Sequence, residues 1–536
     1  MYQLSDLETT QPRNTVNGAE RDSDCFHVAK LRSPTILDEL RCKYKEHLMS
    51  VGDNYRALIA PVRKLPTEIL LDIFSLLCVD SPGLSITIAD NGKDIISLPT
   101  LTIASTCSHW RNITLSHPVL WSNISVRLED QKWDIQGLLN LYLKHSRPAM
   151  LSLTVTILKD IYDHERDEYV ERLLHDSELI FRSFLNETTR WYRISFEMDP
   201  SLYHSMFEDI YLNNRGDTMS HLKHIKLIGD GLDNHLPSHF FDGCTLILAL
   251  QTLGISGLIF DVAPSLLLDQ LTEVDLDCQR TAAVRELIDC CPNLRALRLS
   301  DEHFFHDDPT SLTITSHSLE SISISIHLRR LPELCDMLSL LNAPNLMSLS
   351  LSTTCETESD SRKLLDNLKV MIGKTSSSLR ELTLDNFVLT DQDLCELLPL
   401  MPHLQRLTLL VDGHYDKLAK ETLFSALHAP QASHKASVPE RHLVPNLVHL
   451  EIHLNEYRIP AMSPWQRKPV DSGTIVSMLE TRQDTLRHFK LCAALYSVPT
   501  LQWFESLEPG GLHWNRLLAL HTRGLRTTLS LRCRGR

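Results

Sequence analysis

Apolar residues recur in one pattern, L-x-x-L-x-L, through most of the second half of the chain. Ten copies follow one another, and the alternation of apolar and polar positions in each copy predicts a short, half-buried strand. The copies begin at Leu222, Leu250, Leu271, Leu294, Leu319, Leu346, Leu379, Leu404, Leu447 and Leu486. Between 21 and 43 residues separate successive copies, which leaves room for a helix after each strand.

Four copies share an entry phrase that contains proline: CPNLRALRL (291–299), APNLMSLSL (343–351), MPHLQRLTL (401–409) and VPNLVHLEI (444–452). The proline ends the preceding helix, and the leucine two residues later begins the strand. The predicted fold class is an α/β repeat, an irregular leucine-rich repeat solenoid (a horseshoe) with a parallel sheet on its concave side. We place the solenoid at 140–507, with 147–157 and 191–199 as early, degenerate repeats and 508–536 as a C-terminal cap or tail.

The residues between the strand leucines are predicted to face outward on the concave side. This face is acidic in the early repeats, lined with serine in the middle, and mixed and histidine-bearing in the late repeats. Such a mosaic suits a protein or peptide ligand held by many small polar contacts, although any one position alone is also explained as ordinary solvated surface. The candidate ligand-binding residues are Glu273, Asp275, Asp277, Arg298, Arg406, His449, Glu451 and Lys490.

The region before the repeats contains two different patterns. Residues 1–33 include few large apolar residues, which predicts disorder. From Ile36 onward, apolar residues recur at steps of three and four, which predicts an amphipathic helix over 34–60. The apolar seam of this helix either folds against its own chain or contacts a partner or a second copy.

A compact apolar block at 61–126 begins with VRKLPTEILLDIFSLL (62–77). Pro66 suits the first turn of a helix, where a missing N–H costs nothing, and Glu68 faces the positive end of the helix dipole. An apolar stripe then runs along the helix. The sequence therefore predicts one short amphipathic helix at the start of this block.

A second helix is predicted from LTIASTCSHWRNITL (101–115), which HPVLWSNISV (117–126) follows. A polar insertion at 79–94 separates the two helices. Because so short a block cannot enclose this many large apolar side chains, we expect it to share its core with a partner. A helical cap on the repeats is the alternative.

The block resembles an F-box, because L-P-x-E-I-L-x-x-I-F, then Cys-x-x-Trp-Arg, then P-x-L-W stand in order. The lead-in RALIAPVRKLP and the exit LWSNISV are similar to the large F-box family of mushroom-forming fungi (Agaricomycetes). The resemblance implies docking on the Skp-type adaptor of a cullin–RING ubiquitin ligase, with the second domain selecting a client protein. The implied adaptor-binding residues are Leu65, Pro66, Ile69, Leu70, Ile73, Phe74, Cys107, Trp110 and Trp121. The polar insertion at 79–94 departs from the shortest F-box pattern, so the resemblance does not predict the path of the chain between the two helices.

Net charge and cysteine content argue against two classes of binding function and indicate a cellular compartment. The net charge of −15 argues against a general nucleic-acid binder and against attachment to anionic membranes. Thirteen scattered cysteines, without paired spacing, favour a reduced compartment and hence the cytoplasm and/or the nucleus. No apolar run predicts a signal peptide or a membrane span.

No catalytic motif is found, and we expect neither enzyme activity nor a cofactor. Ile372-Gly373-Lys374-Thr375 resembles the end of a phosphate-binding loop, but the required upstream glycine is missing, and Gly373 is better explained as a helix C-cap. DEHFFHDDP (301–309) contains residue types that bind metals, but its place directly after a strand favours a solvated loop.

The sequence therefore predicts a non-catalytic, substrate-recognition subunit of a Skp–cullin–F-box ubiquitin ligase. It would bind the adaptor through the F-box and a client through the repeats. One alternative is a leucine-rich repeat scaffold that brings proteins together without causing degradation. A diverged enzyme is the other.

Overall fold

The computed structural model of this protein comprises two compact units, Met1–Leu76 and Leu77–Arg536. The predicted disorder of 1–33 and the candidate loop at 302–309 lie outside the residues that the structure describes. Those described residues are 41–47, 49, 64–79, 82–88, 94–128, 135–157, 179–198, 203, 219–229, 249–258, 268–277, 281–301, 314–326, 331–353, 361–375, 377–386, 389–412, 421–428, 443–455, 471–494 and 505–531.

The first unit is helical at 41–47 and 49, where every described side chain is exposed. The other residues of the helix predicted over 34–60 lie outside the described ranges. Helix α1, Thr67–Val79, begins directly after Pro66, whose carbonyl accepts a hydrogen bond from the Leu70 N–H at 3.1 Å. Proline just before the first turn fixes the backbone there without leaving an N–H unpaired.

The second unit contains, near its start, two short helices that pack against each other, α2 (Pro99–Thr106) and α3 (Ser108–Ser116). Cys107 lies between them in an extended conformation and therefore separates them into two elements. A 3-10 turn, Pro118–Trp121, follows α3. The hydroxyl of Thr100 donates a hydrogen bond to the carbonyl of Leu120 at 2.7 Å, which ties this turn to α2.

The polar insertion between the predicted helices forms part of a sheet. Strand β1, Leu84–Ile88, pairs antiparallel with β2, Asp94–Ser97, and pairs parallel on its other side with β3, Asn123–Leu128. Gly83 precedes β1, and a Cβ there would lie 2.6 Å from the carbonyl oxygen of Leu120. A residue without a side chain is needed at this close approach. The insertion thus extends the sheet at its N-terminal edge.

Sixteen strands form one sheet in the order of the sequence, except that β2 lies outside β1. Every neighbouring pair is parallel apart from β1 and β2. The remaining strands are β4 (Leu151–Ile157), β5 (Trp191–Met198), β6 (His224–Ile228), β7 (Thr252–Ser256), β8 (Glu273–Asp277), β9 (Ala296–Asp301), β10 (Ile314–Thr315), β11 (Ser321–Ile326), β12 (Leu341–Asn342), β13 (Ser348–Thr353), β14 (Glu381–Asp385), β15 (Arg406–Asp412), β16 (His449–Asn455), β17 (His488–Ala494) and β18 (Arg526–Leu531). Strands β10 and β12 form a separate parallel pair.

All ten predicted repeat strands lie in this sheet, and their apolar residues stand side by side. Ile322 of β11, for example, pairs with Leu297 of β9 on one side and with Leu349 of β13 on the other. These three side chains are at most 2% exposed. Because one face of every strand is apolar, the leucines form continuous buried rows, and each strand stabilises its neighbours.

The helices that follow the strands are α4 (Ile135–His145), α5 (Thr281–Cys290), α6 (Leu331–Leu340), α7 (Ser361–Thr375), α8 (Asp391–Leu397), α9 (Glu421–Leu427), α10 (Ser472–Thr481) and α11 (Trp514–Thr522). Helices α6 to α11 contact one another in chain order, as the strands do. Sheet and helices thus alternate along the sequence and share one core. The sheet face that carries the half-buried polar residues is called the open face below.

The region 508–536, predicted as a cap or tail, contains helix α11 and a further parallel strand, β18, next to β17. One expectation about the repeats is corrected. Gly373 does not end a helix, because α7 continues through it to Thr375 and its φ is not positive. The Thr375 hydroxyl lies 3.3 Å from the Met371 carbonyl and donates to it, so this side chain supports the helix end instead.

Candidate functional site

Helix α1 presents an exposed apolar stripe. Ile69, Ile73, Leu76 and Leu77 lie on one helical face, and each is between 39% and 65% exposed. These four residues are called the α1 stripe. Contiguous large apolar side chains left open to solvent on a soluble protein are typical of a protein-binding surface.

The opposite face of α1 is buried. Leu70 and Phe74 are 0% and 1% exposed, so these two predicted adaptor contacts are core residues and offer a partner almost no surface. Two other predicted contacts on this helix, Ile69 and Ile73, belong to the α1 stripe. Near the helix start, Pro66 is exposed and Leu65 is half-buried.

Cys107, Trp110 and Trp121 lie on and after the second helical pattern. The Cys107 Sγ accepts a hydrogen bond from the Trp110 N–H at 3.5 Å and so caps α3, while the side chain of Trp110 is half-buried. Trp121 is 1% exposed; its Nε1 donates to the Thr114 carbonyl at 2.9 Å, and its ring lies 5.0 Å from that of Tyr142. Trp121 therefore belongs to the core rather than to a contact surface.

The predicted set omits four exposed apolar residues of this region. Leu76 and Leu77 complete the α1 stripe, and a helical projection of 67–79 would have placed them beside Ile73. Val119 in the 3-10 turn is 70% exposed, and Leu115 near the end of α3 is 41% exposed. The F-box motif does not include these four positions, so the motif alone could not predict their exposure.

The open face consists of rows of side chains that run across the strands about 4.8 Å apart. From β6 onward, the first row is His224, Thr252, Glu273, Ala296, Ser321, Ser348, Glu381, Arg406, His449, His488 and Arg526. The second row is Lys226, Gly254, Asp275, Arg298, Ser323, Ser350, Thr383, Thr408, Glu451, Lys490 and Thr528. All eight candidate ligand-binding residues lie on this face, in two separate groups.

The first group is an acidic patch, formed by Glu273, Asp275 and Asp277 of β8 with Arg298 of β9. A guanidinium nitrogen of Arg298 lies 3.2 Å from a carboxylate oxygen of Glu273. Partial burial raises the pKa of Asp275 above its ordinary value, even though Arg298 and Lys226 favour its ionised form. This carboxylate is thus held in a conformation where its charge is poorly solvated.

A serine zone separates the two groups. Ser321, Ser323 and Ser325 of β11 pair directly with Ser348, Ser350 and Ser352 of β13. Because serine side chains are short and neutral, this part of the face is uncharged and protrudes little from the sheet. A ligand that crosses the sheet would meet small hydrogen-bonding groups here and charges on either side.

The second group surrounds Glu451 on β16. This carboxylate accepts hydrogen bonds from Lys490 Nζ and His453 Nε2, both at 2.6 Å, and lies 3.3 Å from His449 Nε2. Although partial burial acts in the opposite direction, the hydrogen bonds from His453, Lys490 and His449 lower the pKa of Glu451 to about 2. Three donors therefore converge on one carboxylate, which stays ionised at physiological pH.

The structure also brings Arg526 of β18 to this end of the first row, beside His488. The L-x-x-L-x-L pattern does not extend to this strand, because Thr527 stands where the other strands carry the second apolar residue. Arg406 of β15 is paired, since its Nη1 donates to a carboxylate oxygen of Glu381 at 2.8 Å. The last strands thus carry more cations than the sequence pattern indicated.

The other candidate chemistry is not assembled in the described part of the chain. Lys374 is exposed, and its Nζ donates to the Ser339 carbonyl at 3.1 Å. Among the described residues, no group of three His, Cys, Asp or Glu side chains is placed to hold a metal ion. Within those same ranges, no helix has both the length and the apolar character needed to cross a membrane.

Comparison with known proteins places one region of the chain. No curated protein sequence matches this chain. Residues 62–127 match the family model described as F-box-like. The match includes α1 with its exposed stripe, the β1–β2 hairpin, α2, α3, the 3-10 turn and β3 up to residue 127, and it ends before β4. This chain therefore carries an F-box-like domain at residues 62–127.

Proposed function

We propose that this protein is the substrate-recognition subunit of a Skp–cullin–F-box ubiquitin ligase. The F-box-like domain at 62–127 carries the proposal. F-box domains typically bind Skp-type adaptors in cullin ligases, and proteins that contain them are generally non-catalytic adaptors. The protein would perform no chemistry itself but would hold a client near the ubiquitin-loaded enzyme and so raise its effective concentration.

The α1 stripe is the proposed centre of the adaptor contact. Its four residues expose apolar surface that a partner would remove from water, at about 25 cal/mol per Å². Leu65 and Pro66 at the start of the helix, with Cys107 and Trp110 at α3, complete the proposed contact set. Leu70, Phe74 and Trp121 would support it only indirectly, since their side chains are buried.

The open face is the proposed client-binding surface, and the strand–helix units behind it are proposed to be leucine-rich repeats. The buried rows of leucine fix the backbone of each strand, so the alternate residues are presented at regular spacing. Polar and charged side chains at these positions favour a protein or peptide ligand over an apolar small molecule.

Co-purification with the Skp-type adaptor tests the proposal most directly. Ile73→Asp with Leu76→Asp places two carboxylates in the α1 stripe, and we expect adaptor binding to fall about a hundredfold or more. Glu68→Gln, also exposed on α1, is the matched control and should bind normally. Unchanged adaptor binding by the double variant, with the control also binding, would remove the F-box assignment.

A scaffold that binds the adaptor without promoting degradation is the second candidate. The two functions differ in one measurable property, the half-life of a captured client. For a ligase subunit, the half-life should lengthen when the cullin is inhibited and when the Ile73→Asp, Leu76→Asp variant replaces the parent. An unchanged half-life under both conditions would favour the scaffold.

A further inference from the structure

The last three strands of the sheet bring together basic side chains that lie far apart in the sequence. His449, His488 and Arg526 are direct neighbours in the first row of the open face. The two imidazole rings are 5.5 Å apart. Arg487 immediately precedes His488, and its backbone carbonyl accepts a hydrogen bond from the Arg526 N–H at 2.8 Å. These four residues are called the cationic patch.

Three members of the cationic patch have side-chain donors to spare. Within the described part of the chain, Arg487, His488 and Arg526 make no side-chain hydrogen bond or ion pair, and both arginines are exposed. Two guanidinium groups with open donors on neighbouring strands are suited to carboxylates, because each can bind one in a bidentate geometry.

Two carboxylates of the first two rows on neighbouring strands are already occupied. Glu451 accepts from Lys490, His453 and His449 at 2.6 to 3.3 Å, and Glu381 accepts from Arg406 at 2.8 Å. Asp385 and Asp412 stand at the ends of β14 and β15, outside the first row. From β16 onward, the first row therefore presents two imidazole rings and the Arg526 guanidinium and contains no carboxylate among its described residues.

We propose that the cationic patch binds an acidic, carboxylate-rich segment of the client. This inference rests on the proposed function and names the chemistry that one end of the client-binding surface recognises. The first-row members His449, His488 and Arg526 lie one per strand, about 4.8 Å apart, rather than converging on one point. That spacing suits carboxylates distributed along an extended chain better than a single phosphate, which requires several donors at one position.

The acidic patch at β8 supports an acidic client segment at the last strands, because the two ends of the open face differ in charge. Glu273, Asp275 and Asp277 there would repel the same segment, so an acidic chain is directed towards the last strands and away from the early ones. Electrostatic complementarity of this kind selects a partner and its orientation.

Fluorescence anisotropy with labelled hexaglutamate, at neutral pH and low salt, tests the patch directly in the full chain. Hexaserine and hexalysine are the comparison probes, and both should bind at least about tenfold more weakly than hexaglutamate. Arg487→Glu with Arg526→Glu should lower hexaglutamate affinity by about tenfold or more. Added salt should weaken the binding of the parent.

The matched control is Lys144→Glu with Lys374→Glu, which makes the same change in net charge at exposed positions on α4 and α7. It should bind hexaglutamate like the parent, and the melting temperatures of both double variants should match. Equal loss in the control would reduce the effect to net charge and overturn the patch. Equal binding of hexaglutamate and hexaserine would overturn it as well.

A neutral hexapeptide with one phosphoserine separates the carboxylate from the phosphate. Tighter binding of this probe, lost with Arg487→Glu and Arg526→Glu, would overturn the carboxylate assignment. None of these measurements involves the adaptor. Loss of adaptor binding in the α1 variants and loss of hexaglutamate binding in the patch variants therefore identify separately which proposal fails.

Discussion

The α1 stripe and the open face of the sheet are both exposed, but they differ in chemistry and in how the interaction is distributed. The stripe concentrates four large apolar side chains on three turns of one helix. The open face spreads small and charged side chains over many strands, and several charges already have partners within the sheet. An apolar cluster loses most of its affinity with one or two changes, whereas a polar mosaic loses it gradually.

The difference also shows how one chain can combine a constant partner with a variable one. Substitutions on the open face leave the buried leucines intact, so the ligand preference can change at little cost in stability. A change in the α1 stripe, by contrast, removes surface that the proposed adaptor requires.

Truncation of a side chain should lower stability on the buried face of α1 and adaptor binding on its exposed face. Phe74→Ala should lower the free energy of unfolding by about 3–5 kcal/mol, because it removes a fully buried aromatic side chain. Ile73→Ala, one residue earlier but exposed, should change it by less than about 1 kcal/mol and still weaken adaptor binding. Denaturant unfolding with adaptor pull-down measures both. Similar destabilisation by the two variants would contradict the assignment of faces.

Charge reversals on the open face should change the client set and leave the adaptor bound. Glu273→Lys with Asp275→Lys alters the acidic patch, and Arg406→Glu with Lys490→Glu alters the late group. Each is expected to repel a complementary partner and remove at least one set of co-purified clients.

The control for these reversals is Ser323→Ala in the serine zone, which should recover the parental clients. Mass spectrometry of the captured proteins, with the adaptor quantified in the same samples, makes the comparison. Identical client sets for both reversals and the parent would place recognition outside the open face.

Asp275 should show a small, pH-dependent cost in stability. Its pKa is higher in the folded protein than its ordinary value, so the folded state favours the protonated form. Ionisation therefore costs stability above the folded pKa, and this cost disappears below the ordinary value of 3.8. Asp275→Asn should raise stability at neutral pH by less than about 1 kcal/mol and have no effect in acid. A loss of stability at neutral pH would contradict this sign.

Lys374→Ala should produce the smallest effect. The side chain is exposed, and its Nζ donates a hydrogen bond to the Ser339 carbonyl. Neither the melting temperature nor client binding should change, and neither ATP nor GTP should shift the melting of parent or variant. A nucleotide-induced stabilisation that the variant loses would restore the phosphate-binding interpretation.

The periodicity of the sequence predicted the strands well, because their apolar rows follow a rule of local spacing. Leu297, Ile322 and Leu349 are buried at the positions that L-x-x-L-x-L assigns. The periodicity did not predict strand β18, because Thr527 stands at a position where the pattern requires an apolar residue. The strand nevertheless pairs with β17 through backbone hydrogen bonds. Backbone pairing tolerates a polar side chain that a sequence template does not.

The candidate sites were predicted less completely. The motif on α1 identifies residues by type, but type does not separate Ile73, which is exposed, from Phe74, which is buried. Only the packing of the helix decides that. Likewise, the grouping of Arg487, His488 and Arg526 depends on which strands are neighbours, and residues some forty positions apart in sequence become adjacent only in the sheet.

The position of β3 limits how this protein could have been assembled from parts. The F-box-like match ends within β3, yet this strand pairs with β1 on one side and with β4 on the other. Tyr142, from beyond the match, donates a hydrogen bond to the Gly83 carbonyl at 2.8 Å. A fragment cut at residue 127 would expose an unpaired strand edge, which invites aggregation. A module exchanged between proteins would therefore need, in its new context, a strand that pairs with β3 and a donor for the Gly83 carbonyl.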